Sequence, residues 1–454
     1  MRKLTTFIVT LLLTGTAMAI DLQEALTVGY RNNDELKTIR TEFLKSIEQF
    51  PQAFSGFMPN VGMQVNRVHT KNKYNKKFAD RLGLTPTEVD NDQGGLTIEQ
   101  SLFNGGSSVA NLKAAQSGFR AARGKYYAQE QRVLLNLITA YLDYFESKEK
   151  YEISESRLRT NWQQINTVEE KLKLGEATEI DIATARAGLA AAETNKLSAY
   201  ADFQAKKANF IRVFGIEPID INIPALPENL PGSLDELSKK ASNLNPEIDS
   251  ARHNVISTKA IEIAQKGKLL PQVSVRLQSG RNHYNPQDLE RNYINTKSVS
   301  TTLSVNIPIY PEGGAQYSRI RAAKNDTRNS AIQLDSTIKQ TRAGVISVWE
   351  GFEAAKSRII AANQGVDAAQ ISYDGTAQEE IVGSKTILDV LTAEEKLYEA
   401  KIARVDAYKA SILAAYQMKL LTGELTAKSL KLKVKYFDPE DEFKIIKRKM
   451  FIGS

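Results

Sequence analysis

Apolar positions recur along this chain with two alternating periods, and the order of those periods is the same in its two halves. Leu22–Phe57 carries apolar residues at helical spacing, with Leu36, Ile39, Phe43, Ile47 and Phe50 on one stripe. Leu234–Leu270 answers it, and Pro59 and Pro271 end the two helical stretches at equivalent places, because proline cannot continue helical hydrogen bonding. The period then drops to two. Val61, Met63 and Val65 alternate with Asn60, Gln64 and Asn66, and Leu96 and Ile98 alternate with Thr97 and Glu99. Val273, Val275 and Leu277 alternate with polar residues in the same way, as do Val299, Leu303, Val305, Ile307 and Ile309. Such alternation predicts strands with one apolar and one polar face. Polar loops at about 73–93 and 283–296 separate each strand pair. Helical patterning resumes at Gly105-Gly106 and Gly313-Gly314 and runs without proline to about 174 and 382. At ~1.5 Å per residue, each long helix spans on the order of 100 Å, more than one globular core requires.

The two halves are copies. Residues 105–215 lie on 313–423 at a constant offset of 208. Between 175–200 and 383–408, nine of 26 positions are identical, among them Gly175/Gly383, Thr178/Thr386 and Asp181/Asp389. A fixed offset over so long a stretch means helices held in register, since loops accept insertions and such helices do not. The resulting organisation is a segment 1–19, a first repeat 20–215 and a linker 216–232, then a second repeat 233–423 and a C-terminal segment 424–454. The first repeat places strands at about 59–72 and 94–103, a long helix at about 105–174 and a returning helix at about 178–214. The second places strands at about 271–282 and 297–309, with helices at about 313–382 and 386–422.

The first 19 residues read as an export signal. Arg2 and Lys3 precede the apolar stretch Leu4–Leu13, and Ala17-Met18-Ala19 forms a cleavage site. No later stretch is apolar enough to cross a membrane as a helix, so membrane embedding would require a closed β-barrel. The absence of cysteine excludes disulfides, thiolate metal sites and a lipid anchor at the cleavage site. Of the formal net charge of +7, two charges leave with the signal, and four more lie in the tail 428–454, with eight Lys/Arg against four Asp/Glu. The remaining charges are interspersed as on solvated helix faces, which gives no support for nucleic-acid binding.

Four strands cannot close a barrel, which leaves two readings: a small soluble sheet capping a helical rod, or a barrel completed by several copies. The export signal, the strand lengths, and the aromatics Phe103 and Tyr310 at equivalent strand ends favour the second. At the turns, Thr178-x-x-Asp181 and Thr386-x-x-Asp389 read first as helix caps, with Gly175 and Gly383 ending the preceding helices. A further role there requires the tips to converge in an assembly. Gly383-Ser384-Lys385-Thr386 resembles the end of a phosphate loop but lacks the earlier glycine and the preceding strand. His69, His253 and His283 have no ligand spacing, and Trp162 and Trp349 read as packing or interface residues. No catalytic constellation stands out, so the expectation is a non-enzyme without a cofactor or metal.

The whole pattern resembles the TolC family of outer-membrane efflux proteins over essentially all of the mature chain. The resemblance rests on the tandem repeat, on Phe103-Asn104-Gly105-Gly106 and Tyr310-Pro311-Glu312-Gly313-Gly314 after strands, on Val382–Leu391, and on Tyr436-Phe437-Asp438-Pro439. It implies a mainly α fold with a membrane β-barrel: a homotrimer whose four strands per chain close a 12-stranded barrel, continued by a long α-helical periplasmic barrel. It further implies a passive, gated duct in the outer-membrane lipid of a Gram-negative bacterium. Such a duct works with a periplasmic adaptor and an inner-membrane transporter of RND, ABC or MFS type, in efflux of small molecules or type I protein secretion. By similarity, Asp181, Lys385 and Asp389 form the periplasmic gate. Leu174, Gly175, Glu176, Val382, Gly383 and Ser384 are the tips that meet the adaptor, and Thr178 and Thr386 cap the helices. Two positions depart from the family's pattern: Thr392 stands where a second acid often follows Asp389, and Glu380 replaces a tyrosine. The repeats also differ beside the turns, where Lys385 faces Ala177, Ser384 faces Glu176, and Glu394-Glu395 face Arg186-Ala187. The rival from another class is a trimeric structural or adhesive coiled coil without a pore.

Overall fold

The computed structural model describes residues 21–83, 87–218, 220–286 and 294–449. The segment 1–19 and the last residues of the tail lie outside them. The first repeat begins with α1 (Leu22–Asn32), α2 (Asp34–Ile47) and α3 (Gln49–Phe54), followed by a 3-10 turn at Ser55–Phe57. It continues through β1 (Asn60–Asn72), α4 (Lys76–Leu82), β2 (Thr87–Asn104), α5 (Ser107–Leu174) and α6 (Glu179–Phe214). The second repeat holds α7 (Leu234–Leu244), α8 (Pro246–Gly267), β3 (Gln272–Pro286), β4 (Ile294–Asn306), α9 (Ala315–Ile381) and α10 (Ile387–Leu421). α11 (Pro439–Lys449) follows. No described helix is long and apolar enough to cross a membrane.

The stretches 22–57 and 234–270, continuous in their apolar pattern, are broken at equivalent asparagines. Asn33 is extended, at φ −68° and ψ 118°, and its side-chain oxygen accepts the Leu36 N–H at 2.9 Å, which ends α1 and caps α2. Asn245 takes the same conformation (φ −64°, ψ 121°), and Pro246 then opens α8 at the one position where a missing N–H costs nothing.

The four strands form one antiparallel sheet in the order β1-β2-β3-β4. Register sorts the faces. One face carries the cross-strand rows Val61–Ile98–Leu277 and Met63–Leu96–Ser279–Val299. The other carries Asn60–Glu99–Arg276–Thr302 and Gly62–Thr97–Gln278–Ser300, with Arg276 donating to Glu99 at 2.9 Å. Val61, Met63, Val65, Val299, Leu303 and Val305 are all more than half exposed, so among the described residues nothing covers the apolar face. β2 starts at Thr87, within the segment read as a loop at 73–93, which also contains α4. Past Val65 the strand pair is held by Arg67–Asp92, His69–Asp90 and Lys71–Glu88, polar pairs that leave no alternation to read.

The chain divides into two compact units, one formed by residues up to Arg40, Tyr126–Pro246 and Ile338–Phe437, the other by Thr41–Lys125, Glu247–Thr337 and Asp438 onward. In the first unit, α1 packs on α5 and α6. A Cβ at Gly29 would stand 2.7 Å from Leu137 and from Phe214, so only glycine lets α1 sit this close. Phe210 and Phe214 stack at 4.3 Å in the same core. Leu237, Ala241, Val345, Phe352, Ala415 and Met418 build the matching core of the second repeat. In the second unit, the left-handed Gly105 (φ +64°) lies against the backbone of Gly267. A Cβ there would be 1.8 Å from the Gly267 carbonyl oxygen.

Candidate functional site: the helical hairpin tips

Each long helix ends in the same two-part turn. Gly175 is left-handed at φ +77°, and the N–H groups of Gly175 and Glu176 donate back to the carbonyls of Leu172 and Lys171 at 3.1 and 2.9 Å. Gly383 (φ +78°) repeats this with Ser384, donating to Glu380 and Glu379 at 3.0 and 2.9 Å. The last carbonyls of α5 and α9 are thereby satisfied. The returning helices start on capping boxes. The Asp181 N–H donates to the Thr178 hydroxyl at 3.2 Å, while the Thr178 N–H donates to the Asp181 carboxylate at 2.8 Å. Thr386 and Asp389 match this at 3.2 and 2.9 Å. The threonine hydrogen bonds hold both carboxyls below the usual aspartate range; for Asp181 the hydroxyl of Thr178 contributes most, and for Asp389 the backbone N–H of Thr386.

The tips are apolar and open to solvent: Leu174 is 74% exposed and Val382 78%, with Ile180, Ile381 and Leu388 also exposed. Glu176, Ser384 and Lys385 are exposed as well. Asp181 and Lys385 line one cavity of about 530 Å³, together with Lys171, Glu176 and Glu380. Their side chains do not join: the Asp181 carboxylate is engaged by Thr178, and among the described residues no ion pair links Lys385 to it. Asp389 is likewise turned into its own cap.

The ties between the two hairpins are made by other residues. Lys171, near the end of α5, donates to Glu380, near the end of α9, at 2.8 Å, with both side chains about four-fifths covered. Deeper in the same unit, Glu394 of α10 is buried and its two carboxylate oxygens accept from the Asn161 amide at 2.7 and 2.8 Å. Arg157 of α5 lies beside it, paired with Glu395 and stacked over the Tyr398 ring at 4.7 Å. Burial pushes the Glu394 carboxyl above the usual range, against the opposing pull of Asn161 and Arg157. Gly188 completes the contact, since a Cβ there would stand 2.8 Å from Leu391 of α10. Around these ties Ile165, Val168, Ile182, Ala185 and Leu189 of the first hairpin enclose Ile387 of the second. Glu380 is visible in the sequence only as a departure from a family pattern. Its partner is hidden because Lys171 aligns with Glu379 in the repeat rather than with Glu380.

Among the described residues no group of acids and histidines could hold a metal ion. His253 lies near Asp249 at 3.4 Å, and His283 contacts Asn295, so the histidines are dispersed.

Comparison with known proteins bears on both the sheet and the tips. The family model described as outer membrane efflux protein matches residues 30–215 and 237–424, which are the two repeats. The outer membrane efflux protein BepC of Brucella suis is 29% identical over 97% of this chain and 93% of its own length. The outer membrane protein TolC of Escherichia coli is 23% identical over 95% of this chain and 88% of its own length. Among solved structures, the Campylobacter jejuni CmeC outer membrane channel superposes with a TM-score of 0.79 at 15% identity, covering 94% of this chain and 89% of that one. With both repeats matched in order, and the sheet and long hairpins superposing on a solved channel, this chain belongs to the outer membrane efflux protein family.

Proposed function

We propose that three copies of this chain form a gated exit duct, with the sheet in the outer membrane and the hairpin tips at its periplasmic entrance. Family membership places the protein in the outer membrane of a Gram-negative bacterium. The observation that carries the trimeric duct is the sheet. As far as Val65 its uncovered face is apolar and suits lipid, with the charged pairs Arg67–Asp92, His69–Asp90 and Lys71–Glu88 on the same face beyond that band, while Arg276–Glu99 sits on the opposite face at the level of exposed Val61. β1 and β4 are its open edges, and an open edge is not tolerated in hydrocarbon. Joining β4 of one copy to β1 of the next through three copies gives 12 strands, with the polar faces lining a lumen. The duct is passive, and a periplasmic adaptor and an inner-membrane transporter of RND, ABC or MFS type deliver what passes, either small molecules or a secreted polypeptide.

At the entrance, Asp181, Lys385 and Asp389 form the gate in the trimer. Because the capping boxes occupy both aspartates within the chain, Lys385 is the residue left to bridge between copies. The apolar tips Leu174-Gly175-Glu176 and Val382-Gly383-Ser384 are the adaptor's contact, supported by their exposure. Membrane fractionation with unheated and heated gel electrophoresis tests the assembly. The expected result is an outer-membrane, heat-modifiable trimer; recovery as a soluble monomer removes the duct.

A further inference from the structure

We propose that α11 docks on anionic phospholipid headgroups of the periplasmic leaflet of the outer membrane; this rests on the outer-membrane reading of the sheet. One face of α11 is pinned to its unit. Phe443 stacks on Phe119 of α5 at 3.8 Å and meets Phe50 edge-on at 5.0 Å, Ile446 is buried, and Arg123 donates to Glu440 at 2.5 Å. These contacts also fix its direction. Glu440 lies against Arg123 and Phe443 against Phe119, so as α11 advances it moves back along α5 toward Ser107, which follows β2 directly. Lys449 is six residues past Phe443, which is ~9 Å nearer the sheet and about level with residue 113 of α5. The far end of α11 therefore approaches the strand ends, where exposed Phe103, Ile309 and Tyr310 mark the lipid boundary.

Charge is sorted along the same direction. Glu440, Asp441 and Glu442 occupy the first turn, and Lys447, Arg448 and Lys449 the last. Glu440 pairs with Arg123, and Asp441 with Lys444 at 2.9 Å. Among the described residues no carboxylate pairs with Lys447, Arg448 or Lys449, all three of which are exposed beside Ile445 at 43% exposure. The Lys447 ammonium rests over the Phe443 ring at 4.5 Å, which directs it along the pinned face rather than toward an acid. A helix C-terminus attracts cations, but that dipole acts within the last turn and does not call for apolar residues beside them. Here Ile445 lies among the cations. Cations mixed with apolar side chains at a lipid boundary are what an anionic headgroup layer binds, whereas a polysaccharide or free phosphate would use the cations alone.

The full-length protein is reconstituted in nanodiscs of phosphatidylethanolamine with one part in ten phosphatidylglycerol, and co-retained lipid is counted by native mass spectrometry after detergent release. Wild type is expected to retain phosphatidylglycerol above its bulk ratio, and the Lys447→Gln/Arg448→Gln/Lys449→Gln variant to lose that enrichment and retain it at the bulk ratio. Raising salt should reduce the enrichment in wild type and not in the variant. Equal retention by the two proteins, or binding of inorganic phosphate that abolishes the enrichment, overturns the docking while leaving the trimer in its discs. A chain that does not enter the discs at all overturns the outer-membrane reading and the docking with it.

Discussion

Reversing one charge of the Lys171–Glu380 tie should loosen the periplasmic entrance, and the structure sets the size of the effect. The ammonium and carboxylate are 2.8 Å apart, with side chains 23% and 20% exposed. At that separation and an effective dielectric of ~20, the attraction is about 6 kcal/mol before desolvation and ordering are subtracted. Fully exposed pairs retain ~0–1 kcal/mol, and breaking fully buried ones costs ~3–5 kcal/mol, so this pair, about four-fifths covered but still reached by water, should contribute ~1–2 kcal/mol. Taken as independent, the three copies of the proposed trimer add to at least ~3 kcal/mol, or roughly a 100-fold change in the ratio of open to closed channels. Glu380→Lys exceeds simple loss, because it sets two ammonium groups against each other. The assay is single-channel recording in planar bilayers, reading open probability and mean open time. Lys171→Glu should behave as Glu380→Lys does, and the double swap should return open probability most of the way to wild type. An unchanged open probability in Glu380→Lys, or a double swap no closer to wild type than either single, refutes the tie.

Three further outcomes follow from the same region. Lys385→Glu should raise single-channel conductance, as expected of a cation bridging copies; unchanged conductance and open lifetime remove Lys385 from the gate. Arg157→Met leaves the buried Glu394 carboxylate without its neighbouring cation and should cost about 3–5 kcal/mol of stability in denaturant titrations at neutral pH. Because burial raises the folded pKa of Glu394, the carboxyl takes up a proton as pH falls, and the cost of the substitution should shrink under acid. A penalty independent of pH would mean that Arg157 acts through packing on Tyr398 alone. The capping boxes give the opposite sign. Asp181 and Asp389 have lowered folded pKa values, so their contribution is present above the usual aspartate value near about 4 and is lost as pH falls through the lowered folded value. Amide protection factors at residues 175–182 and 383–390, corrected for the intrinsic pH dependence of exchange, should therefore fall below that point in wild type, and already at neutral pH in Thr178→Ala or Thr386→Ala. Protection unaffected by either change would deny the caps any part in ordering the tips.

The sequence shows elements where burial or lipid imposes a period, and conceals them where pairing is polar. The four apolar strand segments were legible because every second residue is apolar and lies on one uncovered face of the sheet. The first seven residues of β2 were not, because Asp90 and Asp92 are held by His69 and Arg67, and polar pairs carry no alternation. The breaks at Asn33 and Asn245 were obscured for a related reason. The apolar stripe continues through Leu36 and Ile248, so periodicity alone runs the helices together, although both breaks fall where the repeat aligns Asn33 with Asn245. At the tips, the turns were legible because Gly, Thr and Asp are required by backbone geometry in both copies. The ties were not, because a contact between the copies depends on residues that the copies do not share.

In the proposed trimer, two hairpins from each of three chains form a ring of six at the entrance, where the copies' non-equivalence matters. Two kinds of seam alternate there, one within a chain and one between chains, and perfect repeats would make them alike. Within a chain, Lys171 meets Glu380; at the other seam, the corresponding positions are Glu379 and Leu172, which cannot form an ion pair. The deeper tie behaves the same way: Arg157 meets Glu394 and Glu395, while the corresponding positions are Gly365 against Arg186 and Ala187. Gly188, which admits Leu391, corresponds to Lys396, so the close approach of the returning helices is also confined to one seam. The two hairpins of a chain are thus fastened to each other by contacts that the between-chain seams cannot copy, and the entrance should move as three paired units rather than six separate hairpins. Cutting the ties in Glu380→Lys and Arg157→Met together should convert three moving parts into six. Such a channel should show more conductance substates than wild type, and an unaltered set of substates would mean that the hairpins of one chain do not move as a pair.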